Sequence, residues 1–204
     1  MIKVLNLYAG IGGNRKLWQN VKVTAVENNE QIAQIYKDNF PEDEIVIGDA
    51  HQYLEDNFKY FDFIWSSPPC QTHSSFRHNI CVRYRNTKAV YPDMRLYQEI
   101  LFLKHNATCQ WVVENVSPYY HPLIQGIKLG RHMLWSNFDI PKIFFLGAKI
   151  RKAQIPELQH QTGFDLSNYK LPNKRQILRN CIDPLLGLHV LNFAVSHKQE
   201  NGTQ

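Results

Sequence analysis

The chain has 204 residues, enough for one domain with a sizeable core or for one domain and a small appendage. Hydrophobic residues make up 44% and charged residues 20%, near the globular average, which argues against both disorder and a membrane protein. A formal net charge of +5 and a pI near 9.0 suit a polyanionic partner, although many basic proteins bind no nucleic acid.

No segment approaches the roughly 18 consecutive apolar residues of a membrane span. Met1-Ile2-Lys3-Val4-Leu5 enters a strand-like pattern without the charged-then-apolar layout of a signal peptide, so a cytoplasmic chain is expected. Residues 2–8 form an apolar run broken by Lys3 and Asn6, and end at Ala9-Gly10-Ile11-Gly12-Gly13, a buried strand followed by a glycine turn. Residues 14–20 read as a helix, 21–26 as a second strand, and 29–39 as a helix stopping before Pro41. The rhythm continues with a strand at 44–47, a short helix at 51–57 and a strand at 61–65 that ends at Ser66-Ser67-Pro68-Pro69-Cys70. Residues 71–92 are polar and basic and read as a long loop. A helix over 94–106 and a strand at 111–113 follow, ending at Glu114-Asn115-Val116.

Beyond this point the pattern weakens. Residues 130–138 hold a further strand, 147–174 are polar and irregular, and 174–193 return to helical periodicity. Alternating strands and helices imply a mostly parallel sheet with helices on both faces, whose ligands sit at the carboxyl ends of the strands. Glu27, Asp49, Cys70 and Glu114 all follow expected strands, and so converge on one sheet edge. With no linker or repeat, a single domain is expected over 1–204: a core to 146, a reduced segment at 147–173, and a C-terminal helix at 174–194 packing back on the core.

Each candidate has a plain structural alternative. Glycine turns such as Gly10, Gly12 and Gly13 bring backbone close to a ligand, but also close βα units that bind nothing. Glu27 suits ribose hydroxyls or merely opens a helix, and Asp49 suits an adenine amino group or caps the helix after it. The four cysteines at 70, 81, 109 and 181 show neither CxxC pairs nor a repeated spacing with histidine, so no metal site or disulfide framework is indicated. Cys81, Cys109 and Cys181 read as small buried hydrophobes. Cys70 differs: two prolines hold it at a stiff corner, and the basic loop beyond is expected to lower its pKa and favour thiolate. Glu114 reads equally as a surface carboxylate or as a proton donor in partly apolar surroundings.

Together these segments resemble the DNA cytosine-5 methyltransferase family, on the Rossmann-like S-adenosylmethionine-dependent methyltransferase fold. Leu7-Tyr8-Ala9-Gly10-Ile11-Gly12-Gly13 is similar to the Phe-x-Gly-x-Gly motif, with Asn6 where aspartate is usual. Pro68-Pro69-Cys70-Gln71 matches the nucleophile motif and Glu114-Asn115-Val116 the Glu-Asn-Val motif. Residues 179–186 are similar to the closing Gly-Asn-Ala-Val-x-Pro motif without its glycine, and 130–135 stand in the place of Gln-x-Arg-x-Arg with one arginine.

The resemblance implies S-adenosylmethionine as cofactor, held by Tyr8, Ala9, Gly10, Gly12, Gly13, Glu27, Asn28, Asp49, Ala50, Pro68 and Asn180. It implies Cys70 as the nucleophile at cytosine C6 and Glu114 as the group on the N3 edge, with Arg131 as the catalytic candidate from the arginine motif. The target base is expected to flip out of double-stranded DNA. Gln71, Ser74, Arg77, Arg83, Arg85 and Lys88 are expected to meet the DNA, the cations meeting phosphates. The short region at 147–173, with Arg151, Lys152, His160, Gln161, Asn168 and Lys170, implies a recognition sequence of about two to four base pairs, since one good contact discriminates by roughly 1–3 kcal/mol. The other readings are tRNA as substrate, a catalytically silent binding module, a half-enzyme needing a second chain, and an NAD-binding protein whose three-glycine spacing is missing. The closing motif is read as completing the chain, and the small size suggests a bacterial or phage restriction-modification setting.

Overall fold

The computed structural model describes residues 1–85, 87–142 and 153–201, the side chains of 81, 83 and 197–201 excepted. The glycine-ended apolar run forms β1 (Ile2–Leu7), flanked by β2 (Val21–Glu27) and β4 (Phe63–Ser66), with β3 (Glu44–Ile47) outside β2. β5 (Gln110–Val116) pairs parallel with β4, while β6 (Ile127–Leu129) and β7 (His132–Ser136) form a hairpin whose β7 pairs antiparallel with β5. The strand order is β3-β2-β1-β4-β5-β7-β6, with four parallel pairings at its heart. This is the expected methyltransferase topology.

Successive residues of β1 alternate between two covered faces, so the strand is apolar throughout. Val4 joins the cluster under α1 (Glu30–Asn39) and α7 (Pro184–Asn201), with Tyr36, Leu186 and Val190. Leu5 and Leu7 join the opposite cluster under α2 (Ala50–Asn57) and α4 (Arg95–Asn106), with Leu54, Leu96 and Leu103. Among the described residues no helix is long and apolar enough to cross a membrane.

Four local expectations are corrected. Residues 14–20 form turns instead of a helix, and the side chains of Asn14, Arg15 and Trp18 are spent on bonds outside the segment. Asn14 pairs reciprocally with buried Asn6, Arg15 makes a forked ion pair with Asp43, and the Trp18 indole donates to the Gly187 carbonyl at 2.9 Å. A Cβ at Gly187 would stand 2.1 Å from the Asn14 carbonyl oxygen, so α7 lies directly on this turn. Second, the expected loop at 71–92 contains a π-helix, Arg77–Val82, followed by α3 (Arg83–Arg85). Third, α5 (Ile155–Thr162) occupies part of the segment read as irregular, with Gln154 and Glu157 forming a capping box and Gly163 closing it at φ +70. Fourth, the helical segment from 174 divides into α6 (Lys174–Asn180) and α7, because Pro184 opens a new helix instead of continuing one. Arg151 and Lys152 lie outside the described residues.

Candidate active site

Three connections form the first half of the site. Tyr8 has φ 55 and Gly10 also φ 55, a left-handed turn that a tyrosine adopts only when its surroundings hold it there. The holding group is Glu99, on α4 and wholly buried. Its carboxylate accepts from the Tyr8 hydroxyl at 2.5 Å and the Ser66 hydroxyl at 2.5 Å, and pairs with His51 Nδ1 at 2.9 Å. One side chain thus joins the ends of β1 and β4 to α2. Burial and the adjacent carboxylate push the Tyr8 phenol far above its ordinary range, so it stays a donor. Neither Glu99 nor His51 carries a motif signal; only the helical spacing that turns Glu99 inward with Leu96, Ile100 and Leu103 hinted at burial.

Glu27 ends β2 partly exposed, and its two oxygens take the amides of Gly10 and Asn29, each at 3.0 Å. Asp49 caps α2 through His51 and Gln52, so the capping reading of this residue is realised, while its second oxygen lies 3.8 Å from Arg95. Asn28 is exposed beside Glu27 and Ala50 is buried under Asp49. The glycines divide by role. Cβ atoms at Gly10 or Gly48 would meet nothing within 4 Å, whereas one at Gly12 would strike Phe40 at 2.3 Å and one at Gly13 would strike Cys181 at 2.4 Å. Gly12 and Gly13 are therefore needed for internal packing, and Gly10 faces open space.

S-adenosylmethionine fits this edge. The open ground before Gly10 and Gly48 admits close approach, and each Glu27 oxygen keeps a lone pair for a ribose hydroxyl. The cofactor supplies an electrophilic methyl sulfonium.

The second half lies around β4, β5 and β7. Pro68 is buried and Pro69 exposed, leaving Cys70 partly buried at the corner. Asn115 donates from Nδ2 to the Pro68 carbonyl at 2.9 Å, which ties the Pro-Pro-Cys corner to the Glu-Asn-Val strand end. The Cys70 thiol is pushed up to about 11 by burial and by the Glu114 carboxylate, against the opposing pull of Arg131. This corrects the expectation of a lowered thiol: desolvation outweighs the nearby positive charge.

Glu114 is 6% exposed and its Oε1 contacts Nδ1 of His132, itself 6% exposed, on β7. Arg131, the expected catalytic arginine, instead donates to the carbonyls of Arg179 at 3.1 Å and Cys181 at 3.0 Å. It straps the α6–α7 junction to the β6–β7 turn. Asn180 is exposed at the end of α6, on the segment packed against Gly13. Cys181 is buried and pushed up to about 12 by desolvation, consistent with a packing role.

The segment after Cys70 is stapled down by His73, which is wholly buried. Its ring bonds the Tyr120 hydroxyl at 2.6 Å and the Asp93 carbonyl at 3.0 Å, while Thr72 accepts from the Asp93 amide at 2.9 Å. Burial lowers the His73 pKa, which keeps the ring neutral in this role. Sequence reading passed over His73, and its position three residues after Cys70 was the available signal. Gln71, Arg85 and Lys88 are exposed, Ser74 forms a bridge to Pro118, and Arg77 donates to the Lys88 carbonyl at 3.3 Å. The Arg83 side chain lies outside the described residues. A cavity of about 930 Å³ separates α5 from the β6–β7 turn, with Lys16, Arg131, His132, His160 and Gln161 in its wall. Among the described residues no cluster of histidine, cysteine and carboxylate side chains could hold a metal.

The sequence model described as C-5 cytosine-specific DNA methylase matches residues 2–117, more than half of the chain. A tRNA (cytosine(38)-C(5))-methyltransferase from Spodoptera frugiperda is 37% identical over 76 residues, which cover 34% of this chain and 23% of that protein. The chain thus spans less than a quarter of the length of that curated relative. Among solved structures, a DNMT2 mutant from the same organism is 28% identical, covering 57% of this chain and 36% of that one at a TM-score of 0.39. The methyltransferase EhMeth of Entamoeba histolytica is 21% identical, with 57% and 38% covered and a TM-score of 0.37. The chain belongs to the C-5 cytosine-specific DNA methylase family, with S-adenosylmethionine as its cofactor.

Proposed function

We propose that this protein transfers a methyl group from S-adenosylmethionine to C5 of cytosine in double-stranded DNA, through a covalent Cys70 adduct on a flipped-out base. The observation that carries this reading is the hydrogen bond from Asn115 to the Pro68 carbonyl, which sets the Cys70 corner beside the strand end bearing Glu114. Cytosine C5 is a weak nucleophile until a thiolate adds at C6 and makes the ring an enamine. Cys70 supplies that sulfur and Glu114 the hydrogen bond at the N3 edge. Loss of the C5 proton then expels the thiolate and restores the ring.

The raised Cys70 pKa supports a nucleophile that ionises on substrate binding, when the base edge offsets the Glu114 charge that opposes it. The exposed Arg85 and Lys88 suit a phosphate backbone. Short α5 supports a recognition sequence of about two to four base pairs. Bisulfite sequencing of methylated plasmid checks this, and a sharp six-base-pair specificity would contradict it.

The second reading, favoured by the curated relative, is a cytosine in tRNA. Incubation with labelled S-adenosylmethionine and either duplex DNA or tRNA decides between them. Label entering DNA and lost in Cys70→Ala is the expected result; label entering only tRNA transfers the mechanism to RNA. Label retained by Cys70→Ala rejects the mechanism on either substrate.

A further inference from the structure

The strand expected to bring an arginine to the reacting base brings a histidine to Glu114 instead. β5 and β7 run antiparallel with Glu114 opposite Leu134 and Val116 opposite His132, so Glu114 and His132 are diagonal neighbours on one face of the sheet. Both side chains are 8% exposed, and the contact joins His132 Nδ1 to Glu114 Oε1. Among the described residues no protein group bonds Glu114 Oε2. Arg131, one residue earlier, has its guanidinium committed to two main-chain carbonyls.

We propose that His132 is the positioning residue for Glu114: its Nδ1–H holds Oε1 and leaves Oε2 to serve the cytosine N3 edge. This inference rests on the function proposed above and deepens it. In the addition step, Cys70 Sγ bonds to C6 and the C5=C6 π pair moves to form C4=C5. The C4=N3 π pair moves onto N3, and the proton released by the Cys70 thiol passes through the Glu114 Oε2 carboxylate oxygen to N3. A carboxylate remains, and His132 is the buried donor that stabilises it where water is scarce. Without His132 the carboxyl group can rotate, and the charge left on it faces the Cys70 sulfur, whose ionised form it opposes. Among the described residues, Cys70 on the β4 corner and Arg131 on the hairpin turn interact electrostatically with Glu114, and Arg131 in turn with Arg179 and Cys181 at the α6–α7 junction.

The test compares wild type, His132→Ala and His132→Asn, each also in a Glu114→Gln background. The readouts are the rate of covalent trapping on DNA containing 5-fluorocytosine and on the matching 5-fluorocytosine RNA, and S-adenosylmethionine affinity by calorimetry. His132→Ala is expected to slow trapping about tenfold to a hundredfold, the effect of losing one hydrogen bond to a buried charge, with cofactor affinity unchanged. His132→Asn, whose amide occupies the place of Nδ1 and donates, is expected to recover most of that loss. In the Glu114→Gln background either change should add little, since a residue acting through another has no effect once its partner is altered. A merely structural His132 would slow both backgrounds equally, and that additivity overturns the inference. So does wild-type trapping by His132→Ala, or an Asn variant as impaired as the Ala variant. If His132→Ala does not fold, His132→Asn and the double variant decide alone. Wild type that traps on neither polymer defeats the proposed function itself, an outcome distinct from wild-type trapping that ignores position 132.

Discussion

Glu99 and Glu114 are both carboxylates buried beneath the carboxyl edge of the sheet, yet one is saturated and the other is not. Glu99 meets two hydroxyls and an imidazole, and holds the Tyr8 turn. Glu114 has one imidazole on one oxygen, beside the candidate nucleophile. A buried acceptor with all its partners inside the protein is architecture; one with an oxygen in reserve is available for chemistry. The same contrast separates the two halves of the edge. The proposed cofactor half is made of short βα units around β1, β2 and α2, held by Glu99 of α4, and the proposed cytosine half is assembled from β4, β5, β7 and the C-terminal strap.

Exchanging the damage between the two carboxylates is the sharpest way to break this comparison. Glu114→Gln is expected to lower the methylation rate by about 10²- to 10³-fold while thermal stability holds, as for removal of a donor at developing charge. Glu99→Ala is expected to do the reverse, costing about 3 kcal/mol in urea unfolding because Tyr8, Ser66 and His51 lose their acceptor together. If Glu99→Ala folds as well as wild type, the architectural reading of Glu99 fails.

Next in size are the glycines. Gly13→Ala places a Cβ 2.4 Å from the Cys181 sulfur and is expected to cost about 2 kcal/mol of stability. Gly10→Ala, with open space at its Cβ but φ +55, is expected to cost about 1 kcal/mol of stability and to weaken S-adenosylmethionine binding measured by calorimetry. Equal effects of the two on cofactor affinity would erase the division between packing and cradle glycines.

The smallest expected effect is electrostatic. Because burial holds the Cys70 thiol up to about 11, its alkylation by iodoacetamide, followed by mass spectrometry of its peptide, should accelerate as pH rises toward that value. Glu114→Gln removes a charge that opposes the thiolate, so the midpoint should move down. An unmoved midpoint would uncouple the two residues.

Much of the first half was legible because its signals are local. A glycine-ended apolar run, an acidic residue after each of the next two strands, and Pro-Pro-Cys each report their own backbone within a few residues. The helix expected at 14–20 was misread because Arg15 and Trp18 satisfy Asp43 and Gly187, the latter 169 positions from Trp18. His73 was missed for the same reason, since its anchors at Asp93 and Tyr120 belong to other segments. The lowered thiol was misjudged because desolvation is invisible in a string of letters.

From the order of its amino acids alone come the parallel α/β sheet, the convergence of Glu27, Asp49, Cys70 and Glu114 on one edge, and the family resemblance. Periodicity and turn chemistry act within a few residues and leave their mark directly in the sequence. Only the folded chain decides that Glu99 holds the Tyr8 turn, that Arg131 straps the C-terminal segment, and that His132 faces Glu114. Those choices depend on which buried donor meets which acceptor across distant strands, and burial makes each unmet partner costly enough to settle the matter.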